Sequence, residues 1–409
     1  MRQHAIRLSA ISMIAAPAFA IAAADLSAPP VDYVSRAVPI TANAMQHRAG
    51  AFRPLQMDRA ATAISKRSAN AEAFGSWNLL ATLSGVSVIH DISFVSTQVG
   101  YAAGERGLVL KTIDGGKTWT SAMSSNTDSY YWYGIQALTE QDLLVSGFYD
   151  GPPIDSSPSE FAVVRWSHDG GTTWSDDIVL PTDTAFRAHF FDASKGIVLA
   201  AESPNYIVPA FLTQDGGATS ADWAIVTADP NEDWFGNQFS ALATGGTRAS
   251  GISYCASANY GTDWNCGPSV DAVFDGATFF LDETHGWVGG GSISPTVEGW
   301  LHRTTDGGQS WSDRSLDSVW PIREIRFATA SLGWAAGGNS YSGVGGIFRS
   351  DDGGQSWQTD VDTGAEMDAC AVVSYMAYCV GYDGSFTGYV YGVDWDHIFV
   401  DGMESSGGQ

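Results

Sequence analysis

The chain has 409 residues, of which 16% are charged, and it is rich in glycine (46 residues), tryptophan (15), tyrosine (15) and phenylalanine (19). This composition favours many short strands joined by tight turns and disfavours a helical fold. The net charge is −25, and from Ser76 onward 12 basic residues stand against 41 acidic ones. Because an acidic body repels phosphate backbones, the charge argues against nucleic acid as a partner.

The N-terminus has the pattern of an export signal. Arg2 and Arg7 precede the apolar stretch LSAISMIAAPAFAIA, and small-residue cleavage motifs end at Ala20 and Ala24. We interpret residues 1–24 as a signal peptide, because the apolar stretch is shorter than the roughly 20 residues of a spanning helix. A retained membrane anchor is the alternative. No later segment is long and apolar enough to span a bilayer. We therefore expect an exported protein, periplasmic or extracellular.

Residues 25–74 are predicted to be a linker. They are rich in alanine, arginine and proline and show no sustained alternation of apolar and polar residues. We expect a largely disordered segment with one short helix near Asp58–Ser65. From Trp77 onward a repeated pattern replaces this composition.

An Asp-Gly turn marks the repeat. In TIDGGKTW, which begins at Thr112, an aspartate is followed by two glycines, a threonine and a tryptophan. A short carboxylate can accept N–H hydrogen bonds within a turn, glycine permits positive φ, and tryptophan covers the turn. We interpret the motif as a structural latch; a calcium loop is the weaker alternative, because each turn offers few oxygen ligands. The key position recurs as Asp114, Asp169, Asp215, Asn259, Asp306 and Asp352.

A hairpin that ends on a small residue is the second periodic mark. Seven such hairpins align without gaps, and each of the first six is followed by an apolar strand, an Asp-Gly turn and a fourth strand. Seven periods of four strands predict an all-β, seven-bladed β-propeller with four-stranded antiparallel blades over residues 75–400. The aligned hairpins are residues 90–104, 133–147, 187–201, 237–251, 276–290, 323–337 and 367–381.

The seventh period lacks an Asp-Gly turn and a fourth strand, because little of the chain remains after Trp395. The segment Gly75–Gly85, just before the first hairpin, has Trp77 in the place that Trp119 takes after its own turn. We therefore expect an N-terminal strand to close the ring, which removes the exposed edges of an open array. Residues 401–409 are expected to form a flexible tail.

Four cysteines predict two local disulfides. Cys255 is close in sequence to Cys266, and Cys370 is close to Cys379. Each pair would join the two strands of one hairpin in an oxidising compartment. Zinc binding is the weaker alternative, since neither pair has Cys-x-x-Cys spacing and no histidine is near in sequence.

The repeats resemble those of known families. The Asp-Gly turns are similar to the Asp-box, or BNR, repeat of sialidases and sortilin-type receptors. The stretch DISFVSTQVGYAAGERGLVLKTIDGGKTW resembles blades of the photosystem II stability and assembly-factor family in order and spacing. The resemblance covers residues 77–395 and implies a seven-bladed propeller that holds a protein partner. It also implies that the Asp-boxes lie on the rim, away from binding sites.

In a propeller the first strand of each blade lines the central channel, and its first residues are expected to ring one mouth. Arg187 and Arg323 stand out there on an acidic body, and a guanidinium suits a ligand carboxylate. Alternatively both arginines fill the channel as ion pairs, Arg187 with Asp91 and Arg323 with Glu324 or Asp368. The candidate binding residues are His90, Asp91, Tyr133, Arg187, Asn237, Arg323, Glu324 and Asp368.

The function that the sequence favours is a non-enzymatic, monomeric platform for a protein partner or surface ligand, with no cofactor and no metal. One alternative is a sialidase-like glycoside hydrolase, although the Arg-Ile-Pro signature of sialidases is absent and sialidases have six blades. Another is a carbohydrate-binding surface protein that uses the aromatic stretch SYYWYG. The residues available for the hydrolase are Arg187, Arg323, Arg326, Tyr133 and Glu324.

Overall fold

Seven four-stranded antiparallel sheets form a ring in the computed structural model of the protein, which confirms the predicted propeller. The predicted signal peptide (1–24), linker (25–74) and tail (401–409) lie outside the described residues. The structure describes residues 76–85, 88–123, 129–152, 160–201, 210–226, 239–242, 244–250, 254–267, 270, 277–292, 298–314, 316, 320–339 and 342–395.

Each blade adds its strands in chain order, apart from one strand that precedes the first blade. That strand is β1 (Asn78–Leu83), and blade 1 follows with β2 (Ile89–Phe94), β3 (Gly100–Gly104), β4 (Val109–Thr112) and β5 (Thr120–Ser121). Blade 2 has β6 (Tyr130–Ala137), β7 (Leu143–Asp150), β8 (Glu160–Ser167) and β9 (Ile178–Leu180), and blade 3 has β10 (Thr184–Phe190), β11 (Gly196–Ala201), β12 (Ala210–Thr213) and β13 (Ala224–Val226).

The remaining blades repeat the order. Blade 4 has β14 (Phe239–Ala241), β15 (Thr247–Ser250), β16 (Tyr254–Ser257) and β17 (Asn265–Gly267), and blade 5 has β18 (Ala277–Phe280), β19 (Gly286–Ser292), β20 (Glu298–Thr304) and β21 (Ser312–Asp313). Blade 6 has β22 (Ile322–Phe327), β23 (Gly333–Asn339), β24 (Val344–Ser350) and β25 (Gln358–Asp362), and blade 7 has β26 (Glu366–Val373), β27 (Met376–Tyr382) and β28 (Gly388–Asp394).

The first strands lie innermost. Strand β2 contacts both β6 and β26, and β22 contacts both β18 and β26, so these strands meet around the centre of the ring. The second strands β3 and β23 are buried throughout, whereas both residues of the outermost strand β5 are exposed.

The N-terminal strand closes the ring. β1 pairs antiparallel with β28, from Asn78 opposite Gly392 to Leu83 opposite Gly388, and becomes the fourth strand of blade 7. Trp77 is buried against Trp334 of blade 6, with ring centroids 5.8 Å apart. The pairing confirms the closure predicted from the sequence.

The hydrophobic core lies between the faces of neighbouring blades. One cluster joins Tyr101 and Val109 of blade 1 to Trp132 and Leu143 of blade 2. Burial of large aromatic side chains contributes roughly 25 cal/mol per Å² of apolar area removed from water. The largest side chains that are fully buried include Trp132, Trp287, Trp334, Tyr101 and Tyr378.

Asp-Gly turns connect the third strand to the fourth. The Asp114 carboxylate accepts hydrogen bonds from the Thr112 hydroxyl (2.9 Å) and from the N–H (2.9 Å) and hydroxyl (2.6 Å) of Thr118. The bonds from Thr118 lower the pKa of Asp114 to about 2. Gly115 and Gly116 have φ of 73° and 82°, which glycine adopts without strain. The same hydrogen bonds hold the turns of Asp169, Asp306 and Asp352.

The Asn259 turn keeps this geometry with an amide in place of the carboxylate. Its side-chain oxygen accepts hydrogen bonds from the Ser257 hydroxyl (2.9 Å) and the Asp263 N–H (3.0 Å). Tyr260 takes φ of 62° where the other turns have glycine. Asn259 can replace aspartate because the turn requires an acceptor rather than a charge.

Both predicted disulfides are confirmed. Cys255 and Cys266 are opposite each other on β16 and β17, and Cys370 and Cys379 are opposite each other on β26 and β27. Each bond therefore joins neighbouring strands within one blade. In the part of the chain that the structure describes, we find no helix with the length and apolar character needed to cross a bilayer.

Candidate functional site

The first strand of most blades carries a β-bulge near its start. The pairing of the first strand with the second shifts by one residue in blades 1, 2, 3, 6 and 7. A bulge bends the strand and redirects the side chains beside it. The candidate residues His90, Tyr133, Arg323 and Asp368 lie at these shifts.

The ladders correct the gapless alignment of two hairpins. In blade 3, Phe190 pairs with Gly196 as Phe94 pairs with Gly100 in blade 1, so Arg187 is level with Asp91 and not with His90. The alignment was wrong there because it placed Ala201 on the equivalent of Gly104, one residue too far.

Blade 7 requires the opposite correction. Met367 pairs with Gly381 as Ile89 pairs with Gly104, so Asp368, not Met367, is level with His90. A shorter connection between β26 and β27 causes the shift, and a gapless alignment cannot detect it.

Arg187 lies in an ion cluster contributed by three blades. Its Nη1 is 2.9 Å from Glu324 Oε2, and its Nη2 is 3.4 Å from Asp91 Oδ1. The other Glu324 oxygen is 2.5 Å from Nη1 of Arg326. The Glu324 side chain is fully buried, whereas that of Arg326 is 26% exposed. The expected pairing of Arg187 with Asp91 is present, and Glu324 is an additional partner.

Asp91 also links two blades. Its carboxylate accepts hydrogen bonds from the N–H of Ile92 (2.9 Å) and from the N–H of Ile135 in blade 2 (2.9 Å). Burial raises the pKa of Asp91, and the Arg187 charge and these hydrogen bonds oppose that rise. The side chain therefore positions the inner strands whether or not it touches a ligand.

Four candidate residues, His90, Tyr133, Arg323 and Asp368, are buried on the first strands. His90 Nδ1 is 3.1 Å from Asp368 Oδ2, and the ring of Tyr133 packs against the His90 ring with centroids 4.9 Å apart. Arg323 pairs with Glu366 of blade 7 (3.0 Å), a partner that was not predicted from the sequence. All of these side chains are buried. These side chains therefore lie within the packed ring.

A cavity lies at the second half of the first strands, where these strands lead into their hairpins. Its volume is about 610 Å³. Burial, with a contribution from the Arg326 charge, lowers the pKa of His189 to about 4, so this imidazole is neutral at pH 7. The polar side chains that line the cavity include Asp91, Ser93, Gln136, Arg187, His189 and Arg326.

The cavity contains only part of the predicted constellation. Asp91 and Arg187 line it, and Glu324 reaches it through Arg187 and Arg326. Tyr133 and Arg323 do not line it, and Asn237 lies outside the described residues.

Gln136 and His189 line the cavity but were not among the site residues predicted from the sequence. Gln136 accepts a hydrogen bond from the Phe190 N–H (2.6 Å) and donates one to the Phe190 carbonyl (3.2 Å), which ties blade 2 to blade 3. A polar residue at an alternate position of a buried strand is the signal that could have identified both.

The described residues do not assemble the sialidase-like set. Arg187 and Arg326 line the cavity, but Arg323 is paired with Glu366 and Tyr133 packs among His90, Phe148 and Phe186. A tyrosine nucleophile must face the substrate, and this tyrosine faces the core. Among the described residues, the lining of the cavity therefore contains charged groups and no tyrosine.

Comparison with known proteins identifies the fold. No family model and no curated protein matches the chain. YCF48 from Cyanidioschyzon merolae is similar with a TM-score of 0.58 and 20% identity, over 78% of this chain and 99% of that one. A structure described as YCF48 bound to D1 peptide has a TM-score of 0.57 and 18% identity, over 78% and 98%. The WD40 propeller domain of Doa1 has a TM-score of 0.51 and 11% identity, over 78% and 97%. These similarities are those of the β-propeller fold.

Proposed function

We propose that the protein is an exported, non-enzymatic propeller that binds a protein partner in the cell envelope or outside the cell. The observation that carries this proposal is the preformed cavity of about 610 Å³ at the hairpin end of the channel. Its volume is within the range of roughly 300–1,000 Å³ that is typical of ligand sites. Its charged side chains are already fixed by ion pairs, which favours binding over proton transfer.

Arg326 is the residue best placed to contact a partner. Its side chain is 26% exposed, one nitrogen is bound to Glu324, and its guanidinium lies 5.9 Å from the centre of the Phe279 ring. A guanidinium has five N–H donors, so Arg326 can keep its bond to Glu324 and still donate to a carbonyl or carboxylate of a partner. Arg187 lies deeper and supports Glu324 from the other side.

Three further observations support the proposal. A solved propeller of similar fold is described as bound to a D1 peptide, which shows that this architecture can hold a peptide. The turns of Asp114, Asp169, Asp306 and Asp352 share one hydrogen-bond pattern, which supports their assignment as Asp-box repeats. Two disulfides are compatible with the export that the N-terminal residues predict.

The test is an affinity capture from the cell-envelope extract of the source organism with the full chain and its Arg326→Ala variant. Arg187 and Arg323 are poor choices for this purpose, because their removal would take a cation away from buried carboxylates and destabilise the ring. Arg349→Ala is the matched control, since Arg349 also pairs with a carboxylate, Asp351, but lies on the third strand of blade 6 and does not line the cavity.

We expect the wild type and the Arg349→Ala variant to capture one defined protein, and the Arg326→Ala variant to lose it. Equal recovery with all three baits would show that the cavity is not the binding site. Turnover in a glycoside-hydrolysis screen would instead support the sialidase-like alternative. Release of the partner by free sugar would support the carbohydrate-binding alternative.

A further inference from the structure

A groove follows the boundary between blades 2 and 3. One cavity of about 700 Å³ shares Gln136 with the channel cavity, and a second cavity of about 530 Å³ shares Ala218 with the first. We call these two adjoining cavities the blade 2–3 groove. It runs from the channel opening toward the outer strand β9 at Ile178.

Of the described Asp-Gly turns, the one at Asp215 departs most from the pattern, and this turn borders the groove. Asp114 precedes its tryptophan by five residues, whereas Asp215 precedes Trp223 by eight. Thr219, at the position that should bind Asp215, instead bonds Asp222 through its N–H (2.7 Å) and hydroxyl (2.9 Å). The extra residues form the 3₁₀ turn Ser220–Asp222, and this longer turn lines the groove.

The floor of the groove is apolar. Trp166 packs edge-on against Phe190 with centroids 4.7 Å apart, and the half-buried Leu138 and Phe191 lie beside them. His168 stacks parallel to Trp166 at 5.7 Å and borders the open side. Such a floor can cover the aliphatic part of a long side chain.

The rim of the groove is acidic. The residues that line the two cavities contain four aspartates, Asp142, Asp176, Asp177 and Asp192, and neither lysine nor arginine. Hydrogen bonds from His168 and Thr139 lower the pKa of Asp142, and N–H and hydroxyl donors of its own turn lower that of Asp192.

The positively charged side chains close to this rim already have partners. Arg165 binds Asp177 at 2.6 Å, and Lys195 lies over the Tyr260 ring with its ammonium nitrogen 4.4 Å from the ring centre. Asp142 binds His168 at 2.9 Å. The rim as a whole therefore keeps a negative charge at neutral pH.

We propose that the blade 2–3 groove binds an extended peptide segment that carries lysine or arginine side chains. The proposal rests on the protein-binding role proposed above and specifies the chemistry of one partner segment. An apolar floor holds the stems of basic side chains, and the acidic rim meets their charged ends. The continuity through Gln136 allows the same segment to reach the channel cavity.

The probe is a fluorescein-labelled peptide of nine alternating lysine and alanine residues, which spans roughly 30 Å when extended. Its counterpart has glutamate in place of lysine. Binding to the full chain is measured by fluorescence anisotropy at low salt and at physiological salt, because screening weakens contacts between exposed charges. Two variants disrupt the groove in different ways: Asp142→Asn/Asp192→Asn removes charge, and Ala218→Trp fills the exposed junction of the two cavities.

The matched control is Asp282→Asn/Asp351→Asn, which removes two charges elsewhere. Asp282 accepts hydrogen bonds from the N–H groups of Thr284 and His285. Asp192 likewise accepts hydrogen bonds from the N–H groups of Ser194 and Lys195. Asparagine can keep these acceptor bonds, and thermal midpoints within about 2 °C of the wild type will verify folding.

We expect the lysine peptide to bind, and each groove variant to weaken it at least about tenfold, which corresponds to about 1.4 kcal/mol. The control variant should stay within about twofold of the wild type, since its charges are distant. Absence of binding, equal binding of the glutamate peptide, or an equal loss in the control would each overturn the groove proposal. If capture of a partner still depends on Arg326 in that case, the proposed function stands and only the groove is refuted.

Discussion

Replacing Arg187 with methionine tests the ion cluster inside the ring. Arg187 neutralises Asp91 and Glu324, at 3.4 Å and 2.9 Å, and the Glu324 side chain is fully buried. Removal of one partner from a buried pair costs about 3–5 kcal/mol, because the other charge stays buried without compensation. Glu324 keeps Arg326, and Asp91 keeps two backbone N–H donors. We therefore expect the lower end of the range, about 3 kcal/mol.

This cost should depend on pH. Burial raises the pKa of Asp91 above its unfolded value, and Arg187 opposes that rise. In Arg187→Met the opposing charge is gone, so the pKa rises further. A carboxyl with a raised folded pKa destabilises most above that pKa, and protonation relieves the cost as the pH falls through it. The variant should therefore lose less stability at pH 5 than at pH 8.

Thermal unfolding followed by tryptophan fluorescence measures both effects. At about 2 °C per kcal/mol for a large domain, the midpoint should fall by about 6 °C at pH 8. Arg349→Met is the control, because its pair with Asp351 is partly exposed and should contribute at most about 1 kcal/mol. The reasoning is refuted if both variants lose the same small amount, or if the loss at Arg187 is the same at the two pH values.

Three further changes have defined outcomes. Deletion of Asn78–Leu83 should leave β28 with an open edge and cause aggregation in size-exclusion chromatography, and a synthetic 76–85 peptide should reduce it. Asp114→Ala should lower the thermal midpoint by about 2–4 °C because the turn loses its acceptor, whereas Asp114→Asn should cost less, as Asn259 already serves in blade 4. Burial and two nearby carboxylates raise the pKa of Glu160 to about 7. Because that value exceeds the unfolded one, Glu160→Gln should stabilise the protein at pH 8 and much less at pH 5, in thermal melts at both pH values.

Much of the fold could be predicted because its signals are local and repeated. The turn TIDGGKTW and its copies contain their own acceptors, glycines and tryptophans, so each specifies its geometry within a few residues. The closing strand was predictable because Trp77 repeats the position of Trp119 outside its period. Both cysteine pairs are so close in sequence that each could be placed within one hairpin.

The site was less predictable, because its geometry depends on single-residue shifts. A one-residue change in register turns a side chain to the other face of a strand, and a β-bulge does the same locally. A gapless alignment therefore made Arg187 the equivalent of His90, whereas the strand pairing makes it the equivalent of Asp91. Only the closed ring brings Arg187 of blade 3 to Glu324 of blade 6, 137 residues later in the chain.

The sequence by itself determined the number of blades, the strand that closes them and the disulfides, since each follows from periodicity or from turn chemistry in a short window. The tertiary structure decided which charged side chains meet at the centre of the ring and which charges are neutralised. It also decided that an altered turn at Asp215 borders a groove between two blades. These properties depend on distances across the ring, which strand register, bulges and packing set together and no local pattern encodes.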